Sequence, residues 1–188
     1  MPVMRSATTR VSTRAPGRPP RSADRAWEVA GRVTDPEMPM LTLADLGVLR
    51  DVQVDGAVDG ECVTVWITPT YSGCPAMATM RDDLVHGLQR AGFTDVVVRL
   101  RLQPAWSTDW LTERGRQALA EHGLSAPGPA PRHDGPVPLN LLPTRREVTC
   151  PRCGSADAEL TSEFGPTACT ALYRCAACLE PFEHMKEI

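Results

Sequence analysis

From Ser22 onward, apolar and polar positions fall into periodic blocks that change period several times. Ala26, Trp27, Val29, Ala30 and Val33 recur at helical spacing, with Ser22 as a candidate cap. This helix is expected to stop before Asp35-Pro36, because a residue that precedes proline avoids the helical region. Val48, Arg50, Val52 and Val54 then alternate with Leu49, Asp51 and Gln53, which predicts a strand. Asp55-Gly56 and Asp59-Gly60 supply turn residues, and Cys62 to Thr68, rich in β-branched and aromatic residues, predicts its antiparallel partner. Cys62 reads there as a small buried hydrophobe.

Beyond Thr68-Pro69-Thr70-Tyr71-Ser72-Gly73-Cys74-Pro75 the period becomes helical again, with Met77, Met80, Leu84, Val85 and Leu88 on one face and a stop at Gly92. Proline is favoured in the first helical position, so Cys74 is expected to be the N-cap. The methionines read as core filler and His86 as a solvated residue. Val96, Val98, Leu100 and Leu102 alternate with Val97, Arg99 and Arg101 in a third strand, and strand–helix–strand order implies a parallel neighbour reached by a right-handed crossover. Trp106 and Trp110 are expected to cover the core, ahead of a helix from Trp110 to His122. The fold class is therefore α+β: a small αββαβα domain with a three-stranded mixed sheet, followed by a second module. Residues 22–124 form the first domain. Six prolines in residues 125–146 mark a linker that spaces off residues 147–188.

The second module carries Cys150-Pro151-Arg152-Cys153 and Cys175-Ala176-Ala177-Cys178. Each pair can wrap a tight knuckle around one ion, and two knuckles complete a tetrahedral sulfur site. Short strand candidates lie at Glu159 to Phe164, Leu172 to Arg174 and Phe182 to Met185, the pattern of a zinc ribbon. A module this small has too little core to fold alone, and structural zinc would provide the missing stability. Iron is the rival metal, since sulfur ligation alone does not exclude it. Cys169 and His184 are left over, because four thiols already satisfy the ion.

Composition narrows the function. The chain has 188 residues and a net charge of −3, which gives no nucleic-acid footprint, and no run of eighteen apolar residues, so no membrane partner is expected. Seven cysteines, four of them in the two C-x-x-C pairs, argue for metal in a reducing, cytoplasmic compartment. Residues 1–21 contain five arginines and no acid among several prolines, which reads as a disordered tail. A transit peptide shares the Arg-rich, acid-poor composition, but the prolines count against its amphipathic helix.

Cys74 at a helix start would be favoured as thiolate, while Asp35, Glu37 and Asp45, three carboxylates in turn-rich segments, would raise its pKa until a cation arrives. Those acids also read as ordinary turn and capping residues. An enzyme using Cys74 as nucleophile needs a base, and none of His86, His122, His133 and His184 is positioned by sequence. There is no glycine-rich phosphate loop and no H-E-x-x-H, so the chain is not expected to be catalytic on its own.

Asp35-Pro36-Glu37-Met38-Pro39, Asp45-Leu46-Gly47-Val48, Thr68-Pro69-Thr70 and Gly73-Cys74-Pro75 resemble the signatures of the SufT-like family of iron–sulfur assembly factors, over about residues 24–124. The ribbon, with Phe164-Gly165 and Thr167 to Cys175, is similar to that of one subfamily, PaaD (also PaaJ), the D component associated with ring-1,2-phenylacetyl-CoA epoxidase. The resemblance implies an accessory maturation factor in aerobic phenylacetate catabolism. Its partners would be the epoxidase's di-iron oxygenase component, its reductase with a 2Fe–2S cluster and flavin, and the iron–sulfur assembly machinery. Cys74 matches the family's critical cysteine and would be a transient ligand of iron or a cluster, supported by Asp35, Glu37 and Asp45. The ribbon's zinc would sit on Cys150, Cys153, Cys175 and Cys178. A structural adaptor of the epoxidase complex is the alternative.

Overall fold

The computed structural model describes residues 21–57, 60–71, 73–130 and 148–187. The arginine-rich tail up to residue 20 and most of the proline-rich linker lie outside the described residues. Helix α1 (Arg21–Gly31) precedes the hairpin β1 (Leu49–Ala57) and β2 (Gly60–Ile67), helix α2 (Met77–Arg90) and strand β3 (Asp95–Leu100). The sheet order is β1-β2-β3, with β1 antiparallel and β3 parallel to β2, so the fold is the mixed α+β arrangement that the periodicity predicts.

Strand alternation sets the core. Val63, Val65 and Ile67 of β2 are fully buried, while Thr64 and Trp66 face the other side and are half-buried. Met80, Leu84 and Leu88 of α2 and Ala26 and Ala30 of α1 cover the apolar face. Helix α2 stops where Gly92, at φ 98°, lets the Phe93 N–H reach the Leu88 carbonyl at 3.1 Å.

Four expectations need correction. Val48 and Leu49 are both buried, because a bulge between Leu49 and Asp51 breaks the alternation. Trp27 is 43% exposed, since the small Ala26 and Ala30 bring α1 close to the sheet and leave the indole outside. Leu100 and Leu102 are likewise exposed, at the end of edge strand β3 and past it. Cys62 is only half-buried, and its partner across the ladder is Asp95, whose carboxylate raises the thiol pKa.

After β3, a short 3-10 turn (Thr108–Trp110) leads into α3 (Glu113–Glu121), capped by the Thr112 hydroxyl on the Gly115 N–H at 3.1 Å. Trp106 is buried, as expected. Strand β4 (Leu124–Ser125) follows. It joins a second sheet with β5 (Ala158–Ser162), β6 (Thr170–Cys175) and β7 (Pro181–Met185), in the order β4-β7-β6-β5.

That pairing joins the ribbon to the first domain. Strand β4, continuous with the first domain, runs parallel to β7, and Cys169 and Met185 of the ribbon pack into the main hydrophobic core. A buried polar latch closes the junction. His184, with no exposed surface, binds Ser125 Oγ through Nδ1 at 3.1 Å and Glu187 Oε1 through Nε2 at 3.0 Å. Glu187 also accepts the Gly128 N–H at 3.1 Å. The ribbon histidine that metal binding leaves over thus works as a clasp.

Burial alone would raise the Glu187 pKa, but the hydrogen bonds from His184 and Gly128 outweigh it and bring it to about 2. A depressed carboxylate stabilises the fold above its unfolded-state pKa and loses that contribution as pH falls through the folded one. At neutral pH, where zinc stays bound, the latch should therefore contribute on the order of 2 kcal/mol. Urea unfolding of the zinc-filled wild type and Glu187→Gln near pH 7 checks it: the variant should be less stable by about that amount.

Candidate functional site and metal centre

The metal centre is built from two knuckles of the same design. In the first, the Gly154 N–H donates to the Cys150 carbonyl at 2.9 Å, with Gly154 at φ 74°. In the second, the Leu179 N–H donates to the Cys175 carbonyl at 3.0 Å, with Leu179 at φ 65°. A left-handed residue just after each C-x-x-C turns the chain so that both sulfurs of the pair face inward. Leu179 adopts this conformation without being glycine, a strained choice that the ligand geometry imposes.

The four sulfurs of Cys150, Cys153, Cys175 and Cys178 all lie within 4.8 Å of one another. Cys150 and Cys178 are 3.8 Å apart, and Cys153 and Cys175 are 3.6 Å apart. A tetrahedron with zinc–sulfur bonds of about 2.3 Å has edges of about 3.8 Å, so the quartet fits a zinc ion. The N–H of Cys178 points at the Cys175 sulfur at 3.5 Å and lowers that thiol's pKa, while at Cys153 the Ser155 N–H, which lowers the pKa, is outweighed by the neighbouring sulfurs, which raise it. Arg152 and Glu180 tie the two knuckles together at the surface, 2.5 Å apart.

The second constellation surrounds Cys74. The sequence places this residue at the N-cap of α2. The helix instead begins at Met77 with Ala76 as cap, and Cys74 lies in the preceding turn, where its N–H donates to the Tyr71 carbonyl at 3.3 Å. Proline at 75 therefore starts a turn that leads into the helix. Thr68 anchors the loop by donating its hydroxyl to the Arg101 carbonyl at 2.7 Å.

Burial is the main cause that pushes the half-buried Cys74 thiol up. The Ala76 N–H opposes it, while Cys169, Asp35 and Glu37 add to the rise. Burial with the negative neighbours outweighs the Ala76 N–H. Asp35 is held by the N–H groups of Glu37 and Met38 on its Oδ1, at 2.7 and 2.9 Å. Its own pKa is raised, because desolvation exceeds those two bonds.

Asp45 does not join this group. It is buried, and both of its oxygens are engaged by Arg114, with Thr112 and Thr42 adding further bonds. Cys169 joins instead. Its sulfur sits 3.7 Å from the Thr70 hydroxyl, across the domain junction. Desolvation leads in raising its pKa, the Thr70 hydroxyl opposes it, and Glu37 and Asp35 raise it further. Burial raises the Tyr71 pKa first, and the charges of Cys74, Cys169 and Glu37 add to it. Sequence reasoning set Cys169 aside as surplus to the zinc quartet. That surplus was the available signal, since a thiol outside the quartet needs a different partner.

Among the described residues, no histidine acts on Cys74. His86 and His122 are exposed on helices or at their ends, and His184 is committed to the latch. The arrangement has no base to generate a nucleophile among the described residues.

Two family models match the chain: an iron–sulfur cluster assembly protein over residues 24–99, and the PaaD zinc beta ribbon domain over residues 134–186. A 1,2-phenylacetyl-CoA epoxidase component from Escherichia coli (strain K12) is 43% identical over 167 residues, covering 89% of this chain and 94% of its own length. Among solved structures, a DUF59 domain of unknown function from Bacillus anthracis aligns at TM-score 0.47 and 22% identity, over 52% of this chain and 91% of that one. A conserved hypothetical protein from Thermotoga maritima aligns at TM-score 0.42 and 25% identity, over 50% of this chain and 89% of that one. An assembly-factor domain, a zinc ribbon and similarity along the whole of one epoxidase component coincide in one chain, which therefore belongs to the PaaD family.

Proposed function

We propose that this protein is an accessory maturation factor of a multicomponent phenylacetyl-CoA epoxidase, assisting assembly of an iron–sulfur cluster or the di-iron centre in aerobic phenylacetate catabolism. Its partners are the oxygenase and reductase components and the iron–sulfur assembly machinery, and it acts in the cytoplasm. What supports this reading is a half-buried Cys74 thiol that burial and the negative charge of Asp35 and Glu37 keep protonated, with no base at hand among the described residues. A thiol kept protonated by burial and by neighbouring carboxylates is a poor nucleophile. An arriving cation reverses the balance: it displaces the thiol proton and is then stabilised by the same negative charges. Iron is the cargo, taken up by sulfur and released to the client. The ribbon's four cysteines hold zinc as a separate structural site.

The test is a Cys74→Ser variant co-expressed with the epoxidase components. Most of the reductase cluster and the di-iron occupancy should be lost, with ribbon zinc unchanged. If both centres fill to wild-type levels, Cys74 has no part in maturation.

A second reading, a non-catalytic adaptor, is favoured by the apolar surface of the ribbon, where Phe164 is 73% and Leu160 45% exposed. It expects stoichiometric co-elution with the oxygenase on size exclusion, with loss of ribbon cysteines more damaging than loss of Cys74.

A further inference from the structure

Strand β3 is an edge of the first sheet, and no described strand pairs with its outer side. The cover over it is incomplete. Val96 and Val98 are half-buried and Leu100 is 50% exposed, while their register partners Val63, Val65 and Ile67 on β2 are fully buried. A groove of about 360 Å³ runs beside this edge, lined by Ala78, Arg81, Asp82 and Val85 of α2 and by Val96, Val97 and Val98. A bare edge with half-covered valines is a template for another strand. What distinguishes this edge is its symmetry.

Val97 is the centre of Asp95-Val96-Val97-Val98-Arg99. An antiparallel copy of β3 centred on Val97 sets Asp95 against Arg99 of the second copy at both ends, and Val96 against Val98. The faces agree as well. Asp95, Val97 and Arg99 project to the same side of the sheet as their register partners Cys62, Thr64 and Trp66, and Val96 and Val98 project to the core side with Val63 and Val65. A two-fold axis perpendicular to the sheet keeps those sides in common, so a six-stranded sheet forms with one continuous apolar face. Moving the centre by one residue either way sets Arg99 against Phe93 or Val97 instead.

Helix α2 repeats the pattern. Ala78, Arg81, Asp82 and Val85 lie at positions i, i+3, i+4 and i+7, one stripe along the groove. Their order is its own complement when a second α2 runs antiparallel beside it: Arg81 meets Asp82 twice, and Ala78 meets Val85. Arg81, Asp82, Asp95 and Arg99 are all exposed, and among the described residues none of them is in an ion pair.

We propose that the outer edge of β3, with the α2 stripe beside it, is a two-fold dimer interface with a second copy of this chain. The charges favour a copy over an unrelated strand, because an isologous contact requires a surface that complements itself. The inference goes beyond the maturation reading and uses none of the residues around Cys74. One strand edge and one helix stripe make a small interface, so a reversible dimer in the micromolar range is expected.

Sedimentation velocity of the full, zinc-filled chain over the micromolar range tests it. Wild type should pass from monomer to dimer as concentration rises. Arg99→Asp sets acid against acid at both ends, and Asp95→Arg sets base against base, so each alone should weaken the dimer about tenfold or more. Mixed in equal amounts, the two variants should dimerise again, because an acidic strand then faces a basic one. Both positions are exposed, and retained zinc reports that each variant is folded. A wild type that stays monomeric throughout overturns the proposal. A dimer that both single variants leave intact overturns it too, and moves the contact to another surface. Zinc-filled variants that stay monomeric when mixed also overturn it. So does a wild-type monomer that co-elutes with an epoxidase component unless Arg99→Asp is present, which assigns the edge to that component.

Discussion

Stripping zinc from the ribbon, or replacing Cys175 by serine, should unfold the second sheet and leave the first intact. Among the described residues, the ribbon's own buried cluster is Val148, Cys150, Ala171, Tyr173, Cys175 and Phe182, and two of those six are metal ligands. A cluster of that size falls well short of offsetting the entropy of ordering some forty residues. Structural zinc supplies about 10–16 kcal/mol of apparent binding free energy in such modules, and that energy is folding energy. Hydrogen exchange with and without chelator is the measurement. Amides of β5, β6 and β7 should lose their protection without zinc, while those of Val63, Val65 and Ile67 stay slow. Wild type should carry one zinc per chain and the serine variant none. Ribbon amides that stay protected after complete zinc removal would falsify the claim that metal holds this module.

The consequences reach beyond the ribbon. Losing β7 deprives β4 of its only strand partner among the described residues and removes Met185 and Cys169 from the main core. The His184 clasp on Ser125 and Glu187 opens with it. The structural metal thereby positions one wall of the Cys74 region, although no zinc ligand belongs to that region. This coupling explains how two modules that match separate families are joined: a short parallel strand, a buried polar latch and the contact of Cys169 with Thr70 link them.

The parts of this fold that were legible in the sequence are the locally determined ones. Val63, Val65 and Ile67 alternate, and Met80, Leu84 and Leu88 repeat at helical spacing, so β2 and α2 announce themselves. The C-x-x-C pairs fix the ribbon because ligand spacing is itself the geometry. What stayed hidden was set by contacts between distant segments. The bulge after Leu49 inverts part of β1 because Leu49 is drawn into the core beside Val48. Asp35 and Glu37 act electrostatically on Cys74, and so does Cys169, whose influence depends on how the ribbon docks, which no local pattern encodes. Asp45 looked equivalent to Asp35, since both are acids in turn-rich loops. Its partner Arg114 lies 69 residues further on, and only tertiary structure tells the two acids apart.

Gly47→Ala should destabilise the protein by about 3 kcal/mol or more, because Asp45-Leu46-Gly47 is a docking strap. Every carbonyl of that tripeptide has a donor from elsewhere. The Thr112 N–H meets the Asp45 carbonyl at 2.8 Å, the Trp106 indole N–H meets that of Leu46 at 2.8 Å, and Arg50 reaches that of Gly47 at 3.4 Å. Gly47 sits at φ 66°, where a Cβ would lie 2.6 Å from the Trp110 Cβ and 2.7 Å from the Trp110 carbonyl oxygen. A backbone atom cannot step aside as a flexible side chain can, so the strap must lift away from the segment that leads into α3. Trp110 cannot shift freely either, since the Arg50 guanidinium stacks 3.6 Å from its ring centre. Urea unfolding should show the loss, and Asp45→Ala should cost about 2–4 kcal/mol by the same measurement, since it unties Arg114, Thr112 and Thr42 together. A cycle with Arg114→Ala should give a coupling of about 1–3 kcal/mol, because the two side chains make direct contact. If Asp45 served iron instead, Asp45→Asn would lower iron loading at Cys74 and leave unfolding nearly unchanged. The bidentate pair of buried Asp45 with the exposed Arg114 argues for the opposite: stability falls, while loading at Cys74 persists in whatever fraction stays folded.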